Sequence, residues 1–181
     1  MSGWLLVVAM VAAVNPFRTR VGLRADRIPI PATVVGVVAG ITGVAAIAAL
    51  AASLLDLLQI TPETFLIAAG LVAIIAGGRT FFAPGPFEEP VLTGWREGLW
   101  PIAFPRILSP EVIALALGLA SQNGVGPLVA AAAAGVVVLA VLSRIRVSER
   151  GARLLTALGV VLAMLLVVVG IWMMIEGIRD V

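Results

Sequence analysis

The sequence predicts an all-α, polytopic membrane protein: six transmembrane helices arranged as two inverted three-helix repeats, with the first and fourth helices broken. Three observations lead there. The chain has 181 residues of which 61% are hydrophobic and 12% charged, with mean hydropathy +1.16, values outside the range of soluble domains. Long uncharged runs recur along it, the clearest being residues 28–55, which are enough to cross a hydrocarbon core of about 30 Å with some tilt. Finally, a shift of the numbering from Asn15-Pro16 to Ser109-Pro110 also lays the second such run on the fifth and the third on the sixth.

The first span, residues 3–17, is short and apolar and ends at Asn15-Pro16. No basic stretch precedes it and no small-x-small cleavage site follows, so it is expected to be retained rather than removed as a signal peptide. Asn15 is suited to cap a new half-helix that holds Pro16 in its first turn, where the missing N–H costs nothing. Arg18, Arg20, Arg24 and Arg27 follow, against one acid, Asp26. The second span, residues 28–55, carries Gly36-x-x-x-Gly40 and Gly43, small residues that let a neighbouring backbone approach closely where lipid removes the usual hydrophobic drive. Asp56 and Thr61-Pro62-Glu63 mark a turn and a new helix start, with Thr61 as cap and Glu63 facing the positive end of the dipole. The third span, residues 64–82, ends close to Arg79, which reads as an arginine snorkelling to the interface.

Residues 84–98 form a polar linker rich in Pro and Gly; Trp95 within it and Trp100 just after it suit a headgroup belt. Its adjacent acids Glu88 and Glu89 read as a solvated surface. Residues 100–114 then run W-P-I-A-F-P-R-I-L-S-P-E-V-I-A. This apolar stretch is no ordinary helix, because Pro101, Pro105 and Pro110 each lack an N–H and each drives the preceding residue out of the α region. Irregular backbone at membrane depth survives only where it is buried in protein or lines a wet cavity, and transporters build their sites on such breaks. The fourth span is expected to end near Ala120, at the turn signal Ser121-Gln122-Asn123-Gly124, and the fifth to begin near Pro127 with Ala130 to Gly135 as a packing face. A basic loop with Arg144, Arg146, Arg150 and Arg153 precedes the sixth span, residues 154–175. The domain boundaries expected are residues 1–83 for the first repeat, 84–98 for a cytoplasmic linker and 99–181 for the second repeat.

Charge sets the orientation. All twelve basic residues are arginines, and a net charge of +2 is no nucleic-acid footprint. With both termini outside, the cytoplasmic side holds Arg18, Arg20, Arg24, Arg27, Arg79, Arg96, Arg144, Arg146, Arg150 and Arg153, while Arg179 lies outside and Arg106 within the membrane. That bias follows the positive-inside rule.

The chain contains no Cys, His, Tyr or Lys, so imidazole and thiolate metal sites, Ser-His or Cys-His nucleophile pairs and Schiff-base lysines are all excluded. No enzyme activity, cofactor or metal is expected. The partners expected are membrane lipids and a small-molecule or lipid substrate, within a homo-oligomer or a larger membrane complex.

The run Pro101-x-Ala103-x-Pro105 followed by Pro110 and Ile113 resembles the second-half signature of the MarC family, Pro-Leu-Ala-Ile-Pro and then Gly-Pro-Gly-Ala-Ile. Asn15-Pro16-Phe17 is similar to that family's first-half Asn/Asp-Pro-Ile, and Arg79 is similar to an arginine the family has there. The resemblance implies a six-span protein of the bacterial cytoplasmic (inner) membrane, related to LysE-type exporters, with small neutral amino acids as the suggested substrates. Arg106, Ser109 and Glu111 stand where the family has apolar residues or Gly, and Arg18-Thr19-Arg20 replaces an apolar continuation. The added charge favours a carboxylate- or phosphate-bearing solute instead.

The expected site is therefore the meeting point of two prolyl-opened half-helices: Asn15, Pro16, Arg18, Arg106, Ser109, Pro110 and Glu111. Glu111, paired with Arg106 or with Arg18, either pins the halves together or acts as gate or proton carrier while the arginines bind the acidic group of a substrate. Transport by alternating access is the leading expectation. A non-transporting accessory subunit of a larger membrane complex is the alternative.

Overall fold

In the computed structural model, residues 3–22, 30–82, 95–96, 98–145 and 147–179 are described. Arg24, Asp26, Arg27, Glu88, Glu89 and Arg146 lie outside the described residues. The helices are α1 (Gly3–Val14), α2 (Pro16–Gly22), α3 (Ile30–Leu58), α4 (Pro62–Phe82), α5 (Pro110–Asn123), α6 (Val125–Leu142) and α7 (Glu149–Arg179), with a broken helical segment, Gly98–Ile107, ahead of α5. Among the described residues there is no strand. Five helical stretches are long and apolar enough to cross a membrane, and a sixth is supplied if the broken segment and α5, which meet at 59°, count as one span.

The proline sterics show directly in the backbone. Each residue ahead of a proline in the broken region is extended: Trp100 (φ −134, ψ 118), Phe104 (φ −127, ψ 133) and Ser109 (φ −74, ψ 157). The Phe104-Pro105 peptide bond is cis. In the first half the break is a single residue, Asn15, in the left-handed region at φ 41. Both halves thus interrupt a membrane segment just before a proline that opens a helix.

The glycines of α3 seat the broken segment. A Cβ built on Gly36 would lie 2.5 Å from Ile102 Cγ2, on Gly40 2.6 Å from Ile107 Cγ2, and on Gly43 2.6 Å from Leu108 Cδ1. The small-residue face read from the sequence is therefore the surface on which the irregular backbone rests, with Ile102 and Ile107 buried in the core. Gly135 of α6 likewise lies against Val11 and Val14 of α1. α4 and α7 approach almost backbone to backbone, Gly70 facing Gly170 and Gly77 facing Ala163 and Val167. The stretch Gly3–Val21, which joins α1 to α2, is the most enclosed of the five: 56% of it is buried, against 28% to 33% of the others.

Several boundaries differ from expectation for local reasons. α5 continues to Asn123 because Ser121 and Asn123 turn their side chains back onto the carbonyls of Gly118 and Leu119. The break is confined to Gly124, at φ 81, and α6 starts at once at Val125 with Pro127 in its first turn. Gly98, expected in the linker, belongs to the broken segment and packs against Ala32 and Val35 of α3. Arg150 and Arg153, expected in a loop, lie in the first turns of α7. At roughly 1.5 Å per residue, α3 and α7 are longer than a hydrocarbon core is thick. The start of α4 is as expected, Thr61 Oγ1 accepting from Thr64 N at 3.3 Å.

Candidate functional site

The site is assembled around the two breaks. Asn15 bridges elements: its Oδ1 accepts from Arg18 N (3.2 Å), capping α2, and its Nδ2 donates to the carbonyl of Gly159 on α7 (2.8 Å). α7 comes this close because residue 159 has no side chain; a Cβ there would sit 3.3 Å from Asn15 Oδ1. On the other side Ser109 Oγ accepts from Val112 N (3.4 Å), and Pro110 and Glu111 fill the first turn of α5. The cap expected of Asn15 is thus in place, and Ser109 supplies its counterpart on α5.

Three arginines extend from this framework. Arg18, half-buried, donates from Nη1 to Thr80 Oγ1 on α4, and that hydroxyl donates on to Ala76 O. Arg106, from the broken segment, donates to Thr19 O on α2 (3.3 Å), tying the two breaks together. Arg20, only 3% exposed, donates from Nε to Leu142 O (3.0 Å) and from Nη2 to Ile145 O (2.9 Å). It thereby caps the C-terminus of α6, where free carbonyls and the negative end of the helix dipole favour a cation. The sequence places Arg20 in a cytoplasmic loop with its neighbours; it is buried instead, because these carbonyls supply the acceptors its guanidinium needs.

A cavity of about 390 Å³ lies between these elements. Asn15, Arg18, Arg106, Ser109, Pro110 and Glu111 all line it. Pro16 is the exception among the expected site residues: it is buried in the first turn of α2 and does not reach the cavity wall. Thr19, Arg79 and Trp100 complete the polar and aromatic part of the lining, with Ala13, Val14, Ala76 and Pro105 as its apolar part. Arg79, read as a snorkelling arginine, and Trp100, read as a headgroup-belt residue, therefore face the site. The sequence carries a weak signal for Arg79. It lies three positions after Ala76 on α4, so one face of that helix presents both residues to the wall.

Electrostatically the wall is dominated by cations. Arg18 lies in the fields of Glu111, Arg106 and Arg79, so the carboxylate and the three guanidinium groups form one interacting cluster. Guanidinium groups present forked donors matched to carboxylate and phosphate oxygens, and they do so most strongly where water is scarce. Among the described residues no group of acidic side chains is arranged to hold a metal ion. No protein-family model, curated protein or solved structure matches the chain.

Proposed function

We propose that the chain is an integral membrane transporter of the MarC type, working in the bacterial cytoplasmic membrane with both termini outside. It moves a small or amphiphilic solute bearing a carboxylate or phosphate by alternating access between two inverted three-helix halves. The observation that carries this reading is the cavity at the two breaks, whose wall brings Arg18, Arg79 and Arg106 together with Glu111. A solute without an acidic group offers the three arginines no opposite charge, whereas a carboxylate or phosphate matches their forked donors.

The inverted-repeat arrangement is supported by the packing. The 94-residue shift, Asn15 to Ser109, pairs α1 with the broken segment, α2 with α5, α3 with α6 and α4 with α7. Under that exchange the packing of α3 on the broken segment corresponds to α6 on α1, α3 on α5 to α6 on α2, and α4 on α5 to α7 on α2. The α3–α6 and α4–α7 contacts correspond to themselves. Such correspondence is expected of two halves related by an axis in the membrane plane.

Native mass spectrometry of the protein released gently from its own membrane tests this function. A bound anionic metabolite or lipid, lost in Arg18→Ala or Arg106→Ala, is the expected result. A protein partner at fixed stoichiometry with no small ligand would make the chain an accessory subunit and overturn the proposal.

A further inference from the structure

One departure from the correspondence between the halves lies beside the cavity. α1 packs along α7, but the broken segment, its counterpart, makes no comparable contact with α4 among the described residues. The cavity occupies that gap, with Ala76 and Arg79 on the α4 side and Trp100, Pro105 and Arg106 on the other. Both walls belong to stretches apolar enough to lie in the membrane. Trp100 lines the cavity and pairs with Phe104 outside it, the two rings 36% and 46% exposed with centroids 5.3 Å apart. Aromatic rings of this kind are at home where acyl chains meet headgroups.

We infer that the cavity opens sideways into the bilayer between α4 and the broken segment and takes the anionic headgroup of a membrane lipid, held by Arg18, Arg79 and Arg106. This rests on the proposed function and narrows its substrate to an amphiphile. The headgroup enters first, drawn by the arginines, and the acyl chains stay outside along Trp100 and Phe104. A volume of about 390 Å³ is enough to accommodate a headgroup. The shared chemistry is a phosphate group, which a lipid or a free phosphate ion can supply, and the route of access separates the two.

The test uses the full chain with Trp4, Trp95 and Trp172 replaced by Phe, so that Trp100 is the sole tryptophan. The protein is placed in phosphatidylcholine vesicles containing either acyl-brominated phosphatidylglycerol or acyl-brominated phosphatidylcholine. The anionic lipid is expected to quench Trp100 at a severalfold lower mole fraction than the zwitterionic one. Arg79→Gln, at an exposed position that leaves the fold intact, should weaken that preference roughly fivefold, and Arg144→Gln should leave it unchanged. Equal quenching by both lipids overturns lateral lipid access. If inorganic phosphate then still raises the melting temperature of the wild type but not of Arg79→Gln, the anion-transporter proposal stands without the lipid. If neither phosphate nor a carboxylate such as citrate has an effect, both are overturned.

Discussion

Gly77 and Gly78 are neighbours on α4 and predict opposite responses to the same methyl group. A Cβ on Gly77 would lie 2.6 Å from Ala163 O and 2.7 Å from Val167 Cγ2 on α7, well inside the 3.4 Å at which ordinary contact begins. Ala163 O belongs to the backbone of a 31-residue helix and cannot turn aside, so the helices must separate. Overpacking of this kind costs about 1–3 kcal/mol, and further dispersion contacts are lost along the interface as it opens. A Cβ on Gly78 meets nothing within 4 Å, and alanine there gains up to about 1 kcal/mol of helix propensity. The propensity gain is common to both variants, so Gly77→Ala is expected to be less stable than Gly78→Ala by the overpacking cost, roughly 1–3 kcal/mol. Unfolding by sodium dodecyl sulfate in mixed micelles, followed by tryptophan fluorescence, measures the difference. Equal stability of the two variants, or a more stable Gly77→Ala, would refute the close approach of α4 and α7.

Two further substitutions probe the frame of the site by the same assay. Arg20→Ala removes both donors from the carbonyls of Leu142 and Ile145 and should cost about 2–4 kcal/mol, whereas Arg144→Ala, at an exposed position, should stay within about 0.5 kcal/mol of wild type; similar losses would place Arg20 at the surface. Asn15→Ala loses the cap of α2 and the bond to Gly159 while forcing alanine into a left-handed backbone, so it should be about 1–2 kcal/mol worse than Asn15→Gly, and the reverse order would contradict the conformation at Asn15.

What could be read from the sequence follows from which forces are local. The extended backbone at Trp100, Phe104 and Ser109 is dictated by the proline that follows each of them. The caps at Asn15 and Ser109 follow from a polar residue set directly before a prolyl helix start, and the glycines of α3 announce a close neighbour without naming it. Which neighbour, and which way a charged side chain turns, depends on packing between distant elements. Arg18 and Arg20 sit in one basic run, yet Arg18 reaches Thr80 beside the cavity and Arg20 reaches the end of α6, because residues two apart on a helix leave it on different sides. Trp100 and Arg79 look like interface residues in isolation, and only the way α4 and the broken segment flank the same cavity brings them to its lining from opposite sides.

Alternating access is tested most directly at Ala13, which lines the cavity beside the first break. The chain has no cysteine, so Ala13→Cys introduces a single thiol. In oriented membrane vesicles, a membrane-impermeant maleimide should label it from both faces, at rates that an added anionic substrate shifts in opposite directions. Labelling from one face alone, unchanged by any anion, would contradict transport and leave the cavity a static feature of a membrane subunit.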